Sequence, residues 1–265
     1  MPYGLFPDQF LVCAFFSMAI CLQQFRVSSK LHILESAKVE GAVCLNGSSL
    51  AYDWEVAKDD ANRTGDHSIE CCRSRATIDL GSYCHMNVSL FKHIFSGHSN
   101  DTFFYSWNRV IVRYYDRGSF AGDVDKPDPN TKLYYRGARI FRIVIRDLMA
   151  RVIKDSSNIL LAERLMGVMI HCNGFRCMFS AGVKCLADSS LFLHMKDPVR
   201  AKFFNTIFGT MVGMQRPDAA LPTRCTLKKS AKTCFFQQNL VRYIGSLLFI
   251  VDPAFDSFQV RHVFH

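Results

Sequence analysis

Between residues 103 and 178 short apolar runs alternate with stretches of helical period, and this order narrows the fold more than any other feature of the chain. Residues 103–115 (FFYSWNRVIVRYY) are rich in aromatic and β-branched side chains and read as a buried strand. Residues 116–130 (DRGSFAGDVDKPDPN), dense in Gly, Pro and Asp, read as a loop. Residues 136–154 place apolar side chains at Ile140, Ile143, Val144, Leu148 and Val152, the spacing of one helix face. A short apolar strand at 158–161, a helix over 165–178 and a late strand at 247–251 follow, the last running into Asp252 and Asp256. Strand, helix, strand, helix and a later strand predict an α/β fold with a central, largely parallel sheet flanked by helices. The three strands are expected as neighbours in that sheet. Active residues of such folds sit in loops at the carboxyl ends of strands, so the segments after Tyr115, Leu161 and Val251 are the candidates. Upstream, residues 41–53 read as a short strand entering a turn at Asn46-Gly47. Residues 54–83 are polar without a sustained period and read as irregular.

The chain has 265 residues, enough for one sizeable domain, and its 49% hydrophobic content can bury a core. Its net charge is +9, which favours polyanionic partners. The Lys and Arg residues are scattered and no nucleic-acid motif occurs, so nucleic acid is not the expected partner. Residues 10–22 (FLVCAFFSMAICL) are apolar throughout, short for a bilayer span and suited to the core of an export signal. No Lys or Arg precedes them, and Asp8 stands where positive charge is usual; a buried strand or helix is the alternative. The expected organisation is a signal peptide or signal anchor over 1–25, the only route to a membrane, and a domain over 26–265.

Of eleven cysteines, Cys13 and Cys21 lie in the apolar run and nine follow, a density that suits an oxidising compartment. No paired Cys-x-x-Cys arrangement points to zinc. Four Asn-x-Ser/Thr sequons, at Asn46, Asn62, Asn87 and Asn100, agree with secretion.

Several runs, in order, resemble the plant pectin acetylesterases, which group with the Notum-type carboxylesterases. They are Gly41-Ala42-Val43-Cys44-Leu45 with Gly47-Ser48; Trp107-Asn108-Arg109-Val110-Ile111-Val112-Arg113-Tyr114 with Asp116, Gly118-Ser119-Phe120 and Gly122-Asp123; Tyr135-Arg136-Gly137-Ala138-Arg139-Ile140; His171-Cys172 with Phe175-Arg176; Val183-Lys184-Cys185-Leu186-Ala187-Asp188; Cys234-Phe235-Phe236; and Phe255-Asp256-Ser257 with Gln259. The resemblance covers residues 38–265. It implies an α/β-hydrolase-like fold, a Ser–Asp–His triad in that chain order, no cofactor or metal, and removal of acetyl groups from pectin, an acidic polysaccharide, in the plant cell wall.

Acetyl ester cleavage requires an exposed serine on a sharp strand-to-helix turn, a histidine to take its proton, an acid to orient the histidine, and backbone N–H donors for the oxyanion. The family's Gly-Cys-Ser-Ala-Gly-Gly elbow corresponds here to Ala162-Glu163-Arg164-Leu165-Met166 before Gly167, which holds no serine. Its glycine-rich oxyanion run is replaced where Ile69-Glu70 passes directly to Cys71-Cys72. Asp256 occupies the triad-acid position. The family's histidine lies beyond His265, so the domain is incomplete at its C-terminus by this comparison. His262 and His265 are poor substitutes because terminal residues are poorly ordered, and His171 reads as a packing residue. The resemblance also pairs Cys44 with the position of Tyr115, which would leave Cys44 without that bridge. The expected function is that of a pectin acetylesterase relative, secreted to the wall and catalytically inactive. The alternatives are a non-catalytic polysaccharide-binding protein and a truncated or mis-spliced product.

Overall fold

The computed structural model describes residues 17–22, 30–55, 100, 107–113, 118–151, 153, 156–164, 166–180, 182–188, 191–254 and 259–260. Its strands are β1 (Ser17–Leu22), β2 (Lys30–Leu34), β3 (Leu50–Glu55), β4 (Asn108–Arg113), β5 (Asn158–Arg164), β6 (Gly182–Asp188) and β7 (Leu248–Val251). The helices are α1 (Glu35–Val39), α2 (Gly137–Arg151), α3 (Gly167–Cys177), α4 (Pro198–Gln215), and the single turns α5 (Thr223–Thr226), α6 (Ala231–Cys234) and α7 (Gln237–Leu240).

All seven strands form one sheet in the order β2-β3-β4-β1-β5-β6-β7. The pairs β5–β6 and β6–β7 are parallel, while β2–β3, β3–β4, β4–β1 and β1–β5 are antiparallel. It follows that β2, β4, β5, β6 and β7 run one way and β1 and β3 the other. The α/β expectation holds, with parallel hydrogen bonding confined to β5–β6–β7. The strands expected at 109–114, 158–161 and 247–251 all belong to the sheet but are not neighbours. β1 separates β4 from β5, and β6 separates β5 from β7. The turn at Asn46-Gly47 precedes its strand rather than following it, with Gly47 at φ +78° and Asn46 Oδ1 accepting from the Ser48 amide at 3.0 Å. Most of the stretch read as irregular, 56–83, lies outside the described residues.

β1 comes from the second half of the apolar run that reads as an export signal. It pairs on both sides: Ala19 stands opposite Ile111 of β4 and Ala162 of β5.

A parallel pair needs a long crossover, and α3 supplies it between β5 and β6. The Cys172–Cys185 disulfide ties that helix to β6, and Cys225–Cys234 ties α5 to α6. Both fit an oxidising compartment. The main core lies on one face of the sheet. Val110 and Val112 of β4, Ile159 and Leu161 of β5, and Val183, Cys185 and Ala187 of β6 meet Ile140, Val144 and Leu148 of α2 and Phe175 of α3 there. The alternate residues Leu160, Ala162 and Leu186 form a smaller cluster with Trp107, as the two-residue strand period requires. Helix α4 starts on Pro198 with Asp197 accepting from the Arg200 amide at 2.9 Å, a cap that satisfies one of the open amides.

Candidate active site

Because β4, β5, β6 and β7 share a direction, their carboxyl ends line one edge of the sheet. This edge is where the sequence places its candidates.

Beyond β4, residues 118–125 form a tightly determined loop, buried over 118–122. Ser119 and Phe120 both adopt left-handed backbone, with φ of 55° and 53°, a conformation that costs non-glycine residues of order 1–3 kcal/mol each. Several contacts hold it. Ala121 N–H donates to Gly118 O at 2.8 Å, Ala138 N–H to Gly122 O at 2.9 Å and Asp123 N–H to Gln215 O at 3.2 Å. Gly118 is required because a Cβ there would come within 2.5 Å of Gln215 Oε1. Asp123 pairs with Arg139 and, at 3.2 Å, with Arg142; Arg139 also reaches Asp125. Arg136 donates to the carbonyls of Gly41 at 2.9 Å and Val124 at 3.2 Å.

His171, on α3, fastens this loop to the helix. Its Nε2 lies 2.7 Å from Phe120 O, so that nitrogen carries the proton and donates. Its ring stacks on Phe141 with centroids 4.0 Å apart. Burial pushes its pKa down from 6.5 to about 4, with the Arg142 charge adding to the depression and the Phe120 bond opposing it. Reading His171 as a packing residue is therefore correct but incomplete: it also pins a strained carbonyl. The Gly-Ser-Phe sequence is a signal for this loop only through family resemblance, because left-handed Ser and Phe have no signature of their own.

Beyond β5 the arrangement is different. The strand continues to Arg164, three residues past the expected end, and α3 begins at Gly167. Glu163 is buried, and its carboxylate packs so closely on Gly167 that a Cβ there would meet Oε2 at 2.0 Å. No serine occurs between Ser157 and Ser180.

The loops beyond β6 and β7 are strapped together. The Leu191 amide donates to Asp252 Oδ2 at 2.8 Å, and Gln259 Nε2 donates to Leu191 O at 2.9 Å. Asp256 lies between these anchors but outside the described residues, as do His262, His265, Tyr115, residues 69–72 and the sequons Asn62 and Asn87. Asn46 and Asn100 are exposed. Cys44 Sγ is buried 3.1 Å from Ser49 O. Among the described residues no group of three His, Cys, Asp or Glu side chains is placed to hold a metal, and no helix is long and apolar enough to cross a membrane.

The sequence profile of the family described as Pectinacetylesterase matches residues 22–265. The chain belongs to the pectinacetylesterase family. That family is one of carboxylic ester hydrolases. Pectin acetylesterases 7 and 11 of Arabidopsis thaliana are each 35% identical over 248 residues, covering 87% of this chain and 63% of the relative. The chain thus spans less than two thirds of those relatives' length. Among solved structures, the Wnt deacylase Notum from Drosophila superposes with a TM-score of 0.74 at 20% identity, covering 89% of this chain and 74% of that one. This likeness shows an α/β-hydrolase fold.

Proposed function

We propose that this protein acts at pectin in the plant cell wall as a pectinacetylesterase-family scaffold that no longer hydrolyses acetyl esters. Support for the substrate class comes from the 35% identity to two pectin acetylesterases. The observation that carries the inactivity is the turn from β5 to α3. Acyl transfer needs a hydroxyl exposed on that turn with a histidine within roughly 2.6–3.2 Å. Here the turn offers a buried carboxylate closed against Gly167. His171, the buried histidine on the adjoining helix, has its Nε2 proton committed to Phe120 O. The two disulfides and the sequons support an extracellular, wall-facing location.

The test is acetate release from acetylated pectin and from a chromogenic acetate ester, using purified full chain and its Asp256→Asn variant. Both are expected at the uncatalysed rate, because Asp256 has no nucleophile–histidine pair to orient. Turnover above background that Asp256→Asn abolishes would sink the proposal.

A further inference from the structure

The protein carries two cation-rich surfaces, and they differ in one respect. On α2 every arginine of the exposed row faces a carboxylate: Arg139 meets Asp123 and Asp125, Arg142 meets Asp123, Arg146 meets Glu40 and Arg151 meets Asp147. That surface is neutralised from within. The second surface lies over the loop closed by Cys225–Cys234. From Ala219 to Val251 the chain contains no Asp or Glu but five cations: Arg224, Lys228, Lys229, Lys232 and Arg242.

Lys229 and Lys232 lie three residues apart in this loop, and His194 packs beside it through Phe236 and Gln238. Lys229 is half-buried, and its Nζ donates to Asn239 Oδ1 at 2.6 Å. Asn239 is itself fixed, donating to Thr233 O at 2.8 Å. A neutral amide therefore positions the ammonium without cancelling its charge. Lys232 lies along α4, with Nζ 3.5 Å from where a Gly209 Cβ would stand. The His194 ring stacks on Phe236 at 4.4 Å between centroids. Its pKa is lowered by partial burial first and then by the Lys229 and Lys232 charges, so the ring is held neutral. Among the described residues, no carboxylate lies within ion-pair distance of any of them.

Two ammonium charges three residues apart on a closed loop raise the energy of the empty surface, an external anion relieves it, and the neutral His194 ring beside them can donate a hydrogen bond to that anion. The scaffold is preorganised: the disulfide closes the loop, the Lys229 amide donates to Cys225 O at 2.9 Å, and Ser230 caps α6. Little ordering entropy is then lost on binding. We infer that His194, Lys229 and Lys232, with exposed Lys228 at their rim, form a carboxylate-binding surface for a polyuronate chain. This rests on the pectin reading above and names the part of the molecule that would hold the polymer.

The experiment compares binding of the full chain to de-esterified polygalacturonate at low and high salt for three proteins. These are the wild type, Lys229→Gln/Lys232→Gln, and Lys126→Gln/Lys184→Gln, which removes the same charge from exposed positions elsewhere. Wild type should bind at low salt and release at high salt. The first variant should lose about tenfold or more in affinity, and the control less than about twofold. Lys232→Gln alone, a side chain of α6 that lies along α4, should give an intermediate loss with unchanged thermal stability. Equal weakening by both double variants would overturn the site while leaving pectin binding intact. No wild-type binding at low salt would overturn the pectin reading and this inference together. Equal affinity for single-stranded nucleic acid or anionic phospholipid vesicles would overturn the polyuronate assignment.

Discussion

The loops beyond β4 and β5 open on the same edge of the sheet, and α3 touches both, yet they are built in opposite ways. Residues 118–122 keep a strained, buried backbone, with Ser119 and Phe120 left-handed and the Phe120 carbonyl held by His171. Beyond β5, the described residues Glu163, Arg164 and Met166 show no left-handed backbone. The turn there is short, and its space is filled by the Glu163 side chain pressed against Gly167. The difference teaches where family resemblance resides. The first loop is part of the core itself, through Phe120 and Ala121. The second is held by one side-chain packing, Glu163 against Gly167, in place of a network of backbone hydrogen bonds.

The largest effect expected from this contrast is at Gly167. Gly167→Ala drives a methyl group to 2.0 Å from Glu163 Oε2, so the buried Glu163 side chain has to shift. Overpacking of this kind costs about 3 kcal/mol. Glu163→Ala in the same chain should return most of that loss, because the clash partner is gone, and a double-mutant cycle by urea unfolding measures it. If Gly167→Ala is neutral, the turn is open, and the contrast with the first loop disappears.

His171 gives the next effect, and it reports on the first loop. Its folded pKa of about 4 lies below the unfolded value near 6.5. Above pH 6.5 neither state is protonated and the full stability is present. As pH falls toward 4 the unfolded chain takes up a proton that the folded one refuses, so stability declines; below 4 both are protonated and the decline stops. The integrated loss is about 3 kcal/mol. Unfolding followed from pH 7.5 to 4 should show this slope in the wild type and a flatter one in His171→Gln, whose amide can still donate to Phe120 O. An unchanged slope in the variant would show that His171 does not hold its ring neutral against that carbonyl.

Much of this was legible in the residues themselves. The helical spacing at Ile140, Val144 and Leu148 marks α2, and the β-branched run Val110-Ile111-Val112 marks β4, because burial on a regular element imposes a period. β6 was legible only as a family match: Lys184 interrupts an apolar run whose two faces are packed unequally. α4 escaped because Phe203, Phe204, Ile207 and Phe208 crowd more than one side of the helix and blur the period. The strained loop was not legible in physical terms. Its conformation is set by His171, Gln215 and Arg139, which lie at least 16 residues away in sequence from the residues they hold. Likewise the charge row of α2 reads as solvated cations until Asp123, Asp125 and Glu40 are brought to it by the fold.

The smallest effect on stability, and the sharpest on topology, concerns what separates the two loops. β4 and β5 are not adjacent; β1 lies between them and hydrogen-bonds to both. Cleavage near residue 25 would remove this strand and leave two inner edges unpaired, a state that invites mispairing. The expectation is that residues 17–22 remain in the folded protein and that any processing falls before Ser17. Cys21 stands opposite Leu160 of β5, and Ala19 opposite Ala162. Directly opposed residues on antiparallel strands have Cβ atoms about 4.5–5.5 Å apart, close enough for a disulfide after a small adjustment, whereas diagonal neighbours at about 7–8 Å are not. Leu160→Cys should therefore cross-link to Cys21, and Ala162→Cys should not, as read by peptide mapping under non-reducing conditions. A mature N-terminus beyond Leu22 in a folded protein would remove β1 from the sheet. Cross-linking from Ala162→Cys instead would shift its register by two residues and change which backbone groups of β4 and β5 it satisfies.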